Sequence, residues 1–216
     1  RLAADYIIQK MSSIGLMPYG DSARYEQAFT FAGEPVLGAT QALQVGRQRP
    51  ELNDEWYPLP FSGNGNVLST IMRCGYGIQA PDLGRSDYDG IDPKGKCVAL
   101  MVGSPDGIHP HSKFLAYHDL QARAAKAVEL GAVAVLFYND DKDVVDPSSE
   151  LRARTTSVGV PVMFLKGDLY KDGLKDGDAF AATVTIERPT MTGRNVVGLL
   201  DNGKENVVVI GAHFDH

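Results

Sequence analysis

An α/β fold with a β-rich middle follows from three features of the sequence. A helical stripe from Phe114 to Leu130 ends at Gly131 and runs straight into the apolar segment Ala132 to Tyr138, a βαβ-like connection. The run Lys96 to Val102 is apolar, short and bounded by glycine on both sides, as a strand buried on both faces should be. Near the end, valine-rich Asn206 to Ile210 follows an Asn-Gly turn and empties into Gly211-Ala212-His213.

In chain order, Leu2, Ala3, Tyr6, Ile7, Lys10, Met11 and Ile14 recur at spacings of three and four, which predicts an amphipathic helix capped by Gly15 and packed on a core. Tyr25 to Phe31 and Val36 to Val45 read as the strands of a hairpin, with Gly33 and Pro35 at its turn. A Gly-rich turn at Ser62 to Asn66 precedes a strand from Val67 to Cys74, and an Asp- and Gly-rich loop runs from Pro81 to Gly95. After the βαβ segment come an acidic loop from Asn139 to Pro147, a strand from Val160 to Leu165 and an alternating strand from Ala179 to Glu187. Beyond Pro189, Asn195 to Leu200 reads as one strand.

Of the 216 residues, 44% are apolar and 22% charged, enough to bury a core in one large domain or two small ones. A net charge of -6 with no lysine or arginine cluster argues against a nucleic-acid partner. No apolar run reaches the roughly 20 residues of a membrane span, and the N-terminus lacks a signal-peptide pattern, so the chain is expected to be soluble. It opens on Arg1 rather than Met, so removal of an upstream segment is expected. Cys74 and Cys97 can form one bridge or stay as two buried thiols.

The residues able to carry chemistry are at the end. In an extended backbone His213 and Asp215 point to the same side, so the Asp215 carboxylate can accept the ring N–H of His213 and leave the other nitrogen for a metal. A strand leading into Gly-Ala-His-x-Asp would put both at its carboxyl end, where open α/β sheets hold their ligands. The remaining candidates are weaker. His109, Pro110 and His111 read as a solvated turn, and His118 as a surface or boundary histidine. Asp82, Asp87, Asp89 and Asp92 lack the spacing of a calcium loop, and Asp140, Asp141 and Asp143 read as a solvated face. Neither a Gly-x-Ser-x-Gly elbow nor a P-loop is present.

The stretch Asn195-Val196-Val197-Gly198-Leu199-Leu200, with Val207-Val208-Val209-Ile210-Gly211-Ala212-His213-Phe214-Asp215-His216 after the turn, resembles the co-catalytic di-zinc aminopeptidase family that includes glutamate carboxypeptidase and the bacterial leucyl aminopeptidases. The opening helix ending in Gly15-Leu16-Met17-Pro18 is similar to that family's usual start. The middle resembles its inserted protease-associated domain, through Gly75-Tyr76-Gly77-Ile78, Tyr88-Asp89-Gly90-Ile91-Asp92-Pro93-Lys94-Gly95-Lys96, and Ala125-Lys126-Ala127 leading to Gly131-Ala132.

The resemblance implies residues 1–43 as an N-terminal segment of the peptidase domain, 44–188 as the protease-associated insertion and 189–216 as the first sheet strands. It implies His213 as a zinc ligand, Asp215 as its catalytic orienting partner, and two zinc ions in an intact enzyme that hydrolyses N-terminal peptide bonds. The family's other ligands and its glutamate base lie downstream of the His-x-Asp motif, so this fragment is expected to bind no zinc tightly and to be inactive. Expected partners are a peptide or protein substrate and a second copy in a homodimer, and the expected location is secreted, periplasmic or cell-surface. The rival expectation is a non-catalytic binding or lid module.

Overall fold

The structure, a computed structural model, describes residues 2–152, 154–169, 171 and 174–214. In chain order its regular elements begin with α1 (Leu2–Ser13), β1 (Met17–Pro18), β2 (Glu26–Ala32), β3 (Val36–Leu37) and β4 (Ala42–Val45). There follow β5 (Trp56–Pro58), β6 (Gly65–Arg73), β7 (Gln79–Ala80), β8 (Arg85–Ser86) and β9 (Cys97–Met101). The rest are α2 (Leu120–Glu129), β10 (Ala134–Tyr138), β11 (Val162–Leu165), β12 (Ala179–Val184), β13 (Ile186–Glu187), β14 (Thr190–Val196) and β15 (Gly198–Leu199). This is a mixed α/β, sheet-rich chain. It divides into two compact units, Arg1–Gly33 with Pro189–His216, and Glu34–Arg188.

The larger unit is built on a seven-stranded sheet in the order β4-β12-β6-β9-β10-β11-β5. Its centre, β6-β9-β10-β11, is parallel, and β12, β4 and β5 add antiparallel edges. Central strands of this kind must be apolar on both faces. Cys97, Ala99, Leu136, Tyr138, Met163 and Leu165 pack into one core, while their alternate neighbours Val98, Leu100, Val135, Phe137, Val162 and Phe164 pack into another. Helix α2 covers the second core with Ala124 and Ala127. The first core joins Val45 of one edge strand to Trp56 of the other, so the sheet curls until its two edges share a centre.

The helix begins later than its apolar stripe suggests. Leu115–Tyr117 form a single 3-10 turn, and the Asp119 carboxylate then caps α2 by accepting from the amides of Gln121 and Ala122. Gly131, at φ +96°, closes it. Cys74 and Cys97 are both free and buried, one in each core.

The expected hairpin from Tyr25 to Val45 does not form. Strand β2 pairs with β14 from Val196 to Thr190, whereas β3 pairs with β13 and β4 with β12. The turn residues Gly33 and Pro35 mark the passage of the chain from one unit to the other. That passage also starts the larger unit at Glu34, ahead of Gln44, because β3 and β4 find their partners there.

In the smaller unit, α1 ends at Gly15 (φ +82°), and its Leu16 amide bonds to the Met11 carbonyl. No residue of α1 is buried, and Tyr6 is 60% exposed, so the apolar stripe is only half covered by the little structure around it. The single strand expected from Asn195 to Leu200 is interrupted at Val197: β14 belongs to β2, and β15 pairs with β1. The strand expected at Asn206 to Ile210 is also absent. No strand among the described residues pairs with them, and Val207 to Ile210 stand in solvent, Ile210 at 93% exposure. A strand without a neighbour has no ladder to hold it. No helix among the described residues is long and apolar enough to cross a membrane.

Candidate functional site

His213 lies in the smaller unit, along an open cleft of about 680 Å³ that it lines with Phe29, Phe31, Arg194 and Phe214. The cleft is shaped by the β2–β14 ribbon. Gly193 sits opposite Phe29 in the ladder, and a Cβ there would lie 2.5 Å from the Phe29 ring, so only glycine lets the ring lie across the strand. The Phe29 and Phe31 rings stand 6.0 Å apart on one face. Arg194 is held by Glu26 at 2.9 Å, and Asn195 bonds to Gln27 at 3.3 Å.

The unpaired run before His213 means that it does not stand at the carboxyl end of a strand, in contrast to the expectation from sequence. Asp215 lies outside the described residues. Among the described residues no three His, Cys, Asp or Glu side chains gather where they could hold a metal ion. A zinc site needs about four donors, of which the described residues of this cleft include the His213 imidazole.

The larger unit holds a second polar cluster that the sequence did not single out. The loop after β9 wraps around Asp106, whose carboxylate accepts the Ser112 hydroxyl at 2.7 Å, the Ser104 hydroxyl at 3.0 Å and the Lys113 amide at 2.8 Å. The Ser112 hydrogen bond, helped by the Lys113 amide and Ser104, draws the Asp106 carboxyl down to about 2. His118 Nε2 is 3.1 Å from the Ser112 oxygen. A serine hydroxyl has one proton. It is directed at Asp106, so His118 donates to Ser112 rather than drawing a proton from it, and the trio is a loop clasp rather than an activated nucleophile. His109 accepts the His111 amide at 3.2 Å in an exposed turn, as its sequence context suggests.

Two further side chains organise this end of the sheet. Arg123, buried on α2, donates to the carbonyls of Tyr76 (3.1 Å), Met101 (3.2 Å) and His118 (3.2 Å), tying the ends of β6 and β9 to the helix. Burial lowers its pKa to about 10. Asp87 accepts the amides of Tyr76 and Ile78 and pairs with Arg85 at 2.8 Å, which accounts structurally for one carboxylate of the acidic Asp82 to Asp92 loop. Burial, with Asp176 and Asp87 adding to it, pushes the Cys74 thiol up to about 12, and burial alone raises that of Cys97. Neither thiol is poised as a nucleophile.

No protein-family model and no curated protein matches the chain. Several solved structures are similar to it. One is an aminopeptidase from Aneurinibacillus sp. strain AM-1, at 22% identity and TM-score 0.49, covering 94% of this chain and 43% of that one. Another is BSAP, a zinc aminopeptidase from Bacillus subtilis, at 18% identity and TM-score 0.46, covering 94% and 41%. A third is the subtilisin-like protease Apa1 from Pseudoalteromonas sp. AS-11, at 13% identity and TM-score 0.44, covering 77% and 38%. The chain therefore spans less than half the length of each, and likeness at this level carries no inference about chemistry.

Proposed function

We propose that the chain is the N-terminal part of a zinc-dependent aminopeptidase, with a protease-associated domain inserted in its peptidase domain. The observation that carries this reading is the motif His213-Phe214-Asp215 behind a β-branched run, in a unit whose other half is the opening segment of the chain. Antiparallel pairing of β2 with β14 and of β1 with β15 joins the two halves, and Glu34–Arg188 intervenes as a separate compact unit. That is the arrangement expected of an inserted domain.

In the intact enzyme His213 would be a zinc ligand and Asp215 its orienting partner. Two zinc ions would polarise the scissile carbonyl and supply a hydroxide at neutral pH. The substrate would be a peptide or protein with a free N-terminus, and the location secreted, periplasmic or cell-surface. The smaller unit would also support a homodimer, because Val207 to Ile210 offer unpaired apolar chain.

The test is zinc content and leucyl-anilide hydrolysis of a protein extended through its natural C-terminus, alongside His213→Ala. Zinc-dependent turnover that the substitution abolishes is expected. A protein without zinc and without turnover overturns the reading. It would favour a second one, in which Glu34–Arg188 is a non-catalytic binding or lid module; its closed double core, independent of the His213 segment, speaks for that alternative.

A further inference from the structure

The sequence holds two Asn-Gly pairs, Asn64-Gly65 and Asn202-Gly203. Both asparagines are exposed, so access to water does not separate them. An asparagine before glycine is open to attack on its own side chain, because glycine has no Cβ to shield its amide nitrogen and swings most freely toward the asparagine Cγ. How firmly each carboxamide is held then decides which of them reacts.

Asn64 is held at both ends. Its Oδ1 accepts the Ile186 amide at 2.7 Å, and its Nδ2 donates to the Ile186 carbonyl at 3.1 Å. Gly65 stands opposite Val184 in the sheet, where a Cβ would lie 3.0 Å from the Pro161 ring. Turning the carboxamide back onto Gly65 would break both bonds and leave the backbone groups of buried Ile186 without these partners. Asn202 has no such tether. It lies in an exposed turn outside every strand, and among the described residues its side chain hydrogen-bonds only to the Lys204 amide, which donates to Oδ1 at 3.2 Å. The Gly203 amide donates to the Asp201 carboxylate at 2.8 Å, and a Cβ at Gly203 would meet nothing within 4 Å. These local contacts suit the chemistry: a carboxylate faces the proton that must leave, and an N–H faces the oxygen on which charge develops.

We infer that Asn202 is a site of spontaneous covalent modification, converting to aspartate and isoaspartate through a cyclic imide while Asn64 stays an amide. The Gly203 nitrogen gives up its proton and bonds to the Asn202 Cγ. The Cγ–Nδ2 bond breaks, and Nδ2 leaves with that proton as ammonia. Water then opens the ring, at the side-chain carbonyl to give aspartate or at the main-chain carbonyl to give isoaspartate. Nothing is oxidised or reduced, and water is the one co-reactant. The product adds a negative charge to a chain already at -6, and the isoaspartate form adds a methylene to the backbone between β15 and Val207 to Ile210. The inference stands on the two turns and does not rest on the peptidase reading.

The experiment incubates the native protein at mildly alkaline pH and follows the tryptic peptides carrying Asn64 and Asn202 by mass spectrometry, with enzymatic methylation of isoaspartate as a second readout. The Asn202 peptide is expected to gain the mass that separates an acid from an amide and to accept methyl groups. It should do so at least about tenfold faster than the Asn64 peptide, the effect of a tether of two hydrogen bonds. In denaturant, where the Ile186 tether is gone, the two rates should converge. Gly203→Ala, at a position with open space around it, should slow conversion of Asn202 roughly tenfold by crowding and stiffening the nucleophile. An unchanged Asn202, conversion of Asn64 at the same rate in the folded protein, product without isoaspartate, or a Gly203→Ala variant that reacts at the parent rate would each overturn the inference.

Discussion

Cys74 and Cys97 belong to adjoining segments of the same sheet yet face opposite cores: the Cys74 amide bonds to the Ala99 carbonyl two residues from Cys97, while the two thiols are buried on different faces. A bridge between them would have to pass through the sheet.

Both thiols should therefore stay unmodified by Ellman's reagent at pH 8 in the native protein and react with a stoichiometry of two in denaturant. The thermal midpoint should be the same with and without reductant. Rapid labelling of either thiol in the folded state would contradict their placement.

Gly77 and Gly84 both adopt left-handed backbone, at φ +69° and +70°, but only Gly77 is hemmed in. A Cβ there would sit 2.8 Å from Leu100 and 3.0 Å from the Tyr88 hydroxyl, whereas at Gly84 nothing lies within 4 Å. Gly84→Ala should cost about 1 kcal/mol, for the backbone conformation alone. Gly77→Ala adds overpacking and should cost about 3 kcal/mol, lowering the melting temperature by roughly 10 °C. Equal losses in thermal melts would show that packing at Gly77 has been misread.

Arg123→Met should lower stability by about 3 kcal/mol in denaturant titration, because three part-buried carbonyls lose a buried charged donor at once. Arg123→Lys should not rescue it, since an ammonium cannot reproduce the planar fork that spans Tyr76, Met101 and His118. Full rescue by lysine would argue that charge rather than geometry matters there.

The Asp106 clasp gives a pH signature. Its folded carboxyl titrates at about 2, below the ordinary value of 3.8, so the carboxylate favours the folded loop above pH 3.8 and that contribution is lost as pH falls toward 2. The amide resonances of Lys113 and Phe114 should follow a midpoint near 2, and the transition should vanish in Asp106→Asn. A midpoint near 3.8 would mean that the Ser104, Ser112 and Lys113 bonds do not persist in solution.

Much of the larger unit was legible because its strands are buried on both sides. Val98 to Leu100, Ala134 to Tyr138 and Val162 to Leu165 leave no polar position to confuse the period, and Gly95, Gly103 and Gly131 mark their ends. What misled was locality. Gly33 and Pro35 look like a hairpin turn, but β2 and β3 each prefer partners far along the chain, where cross-strand packing rather than turn chemistry decides. Val207 to Ile210 misled differently: strand propensity describes fitness for a pleated surface, and the described residues provide none beside them. The Asp106 clasp carries no sequence signal, since its members take their meaning only from a folded loop.

The pairing of Val36 with Glu187 has a consequence for how the chain comes together. Strand β2 leaves the ribosome long before β14 is made, and bringing them together from an open coil of some 155 residues would cost about 4 to 5 kcal/mol of loop-closure entropy. Once Glu34–Arg188 has folded, β3 and β13 already hold its two ends side by side, so β2 and β14 are delivered to each other across a single strand spacing. The larger unit thus serves the flanking one as a cross-link made without a covalent bond, and a lesion in its β3–β13 seam should surface as slow or failed assembly of the β2–β14 ribbon.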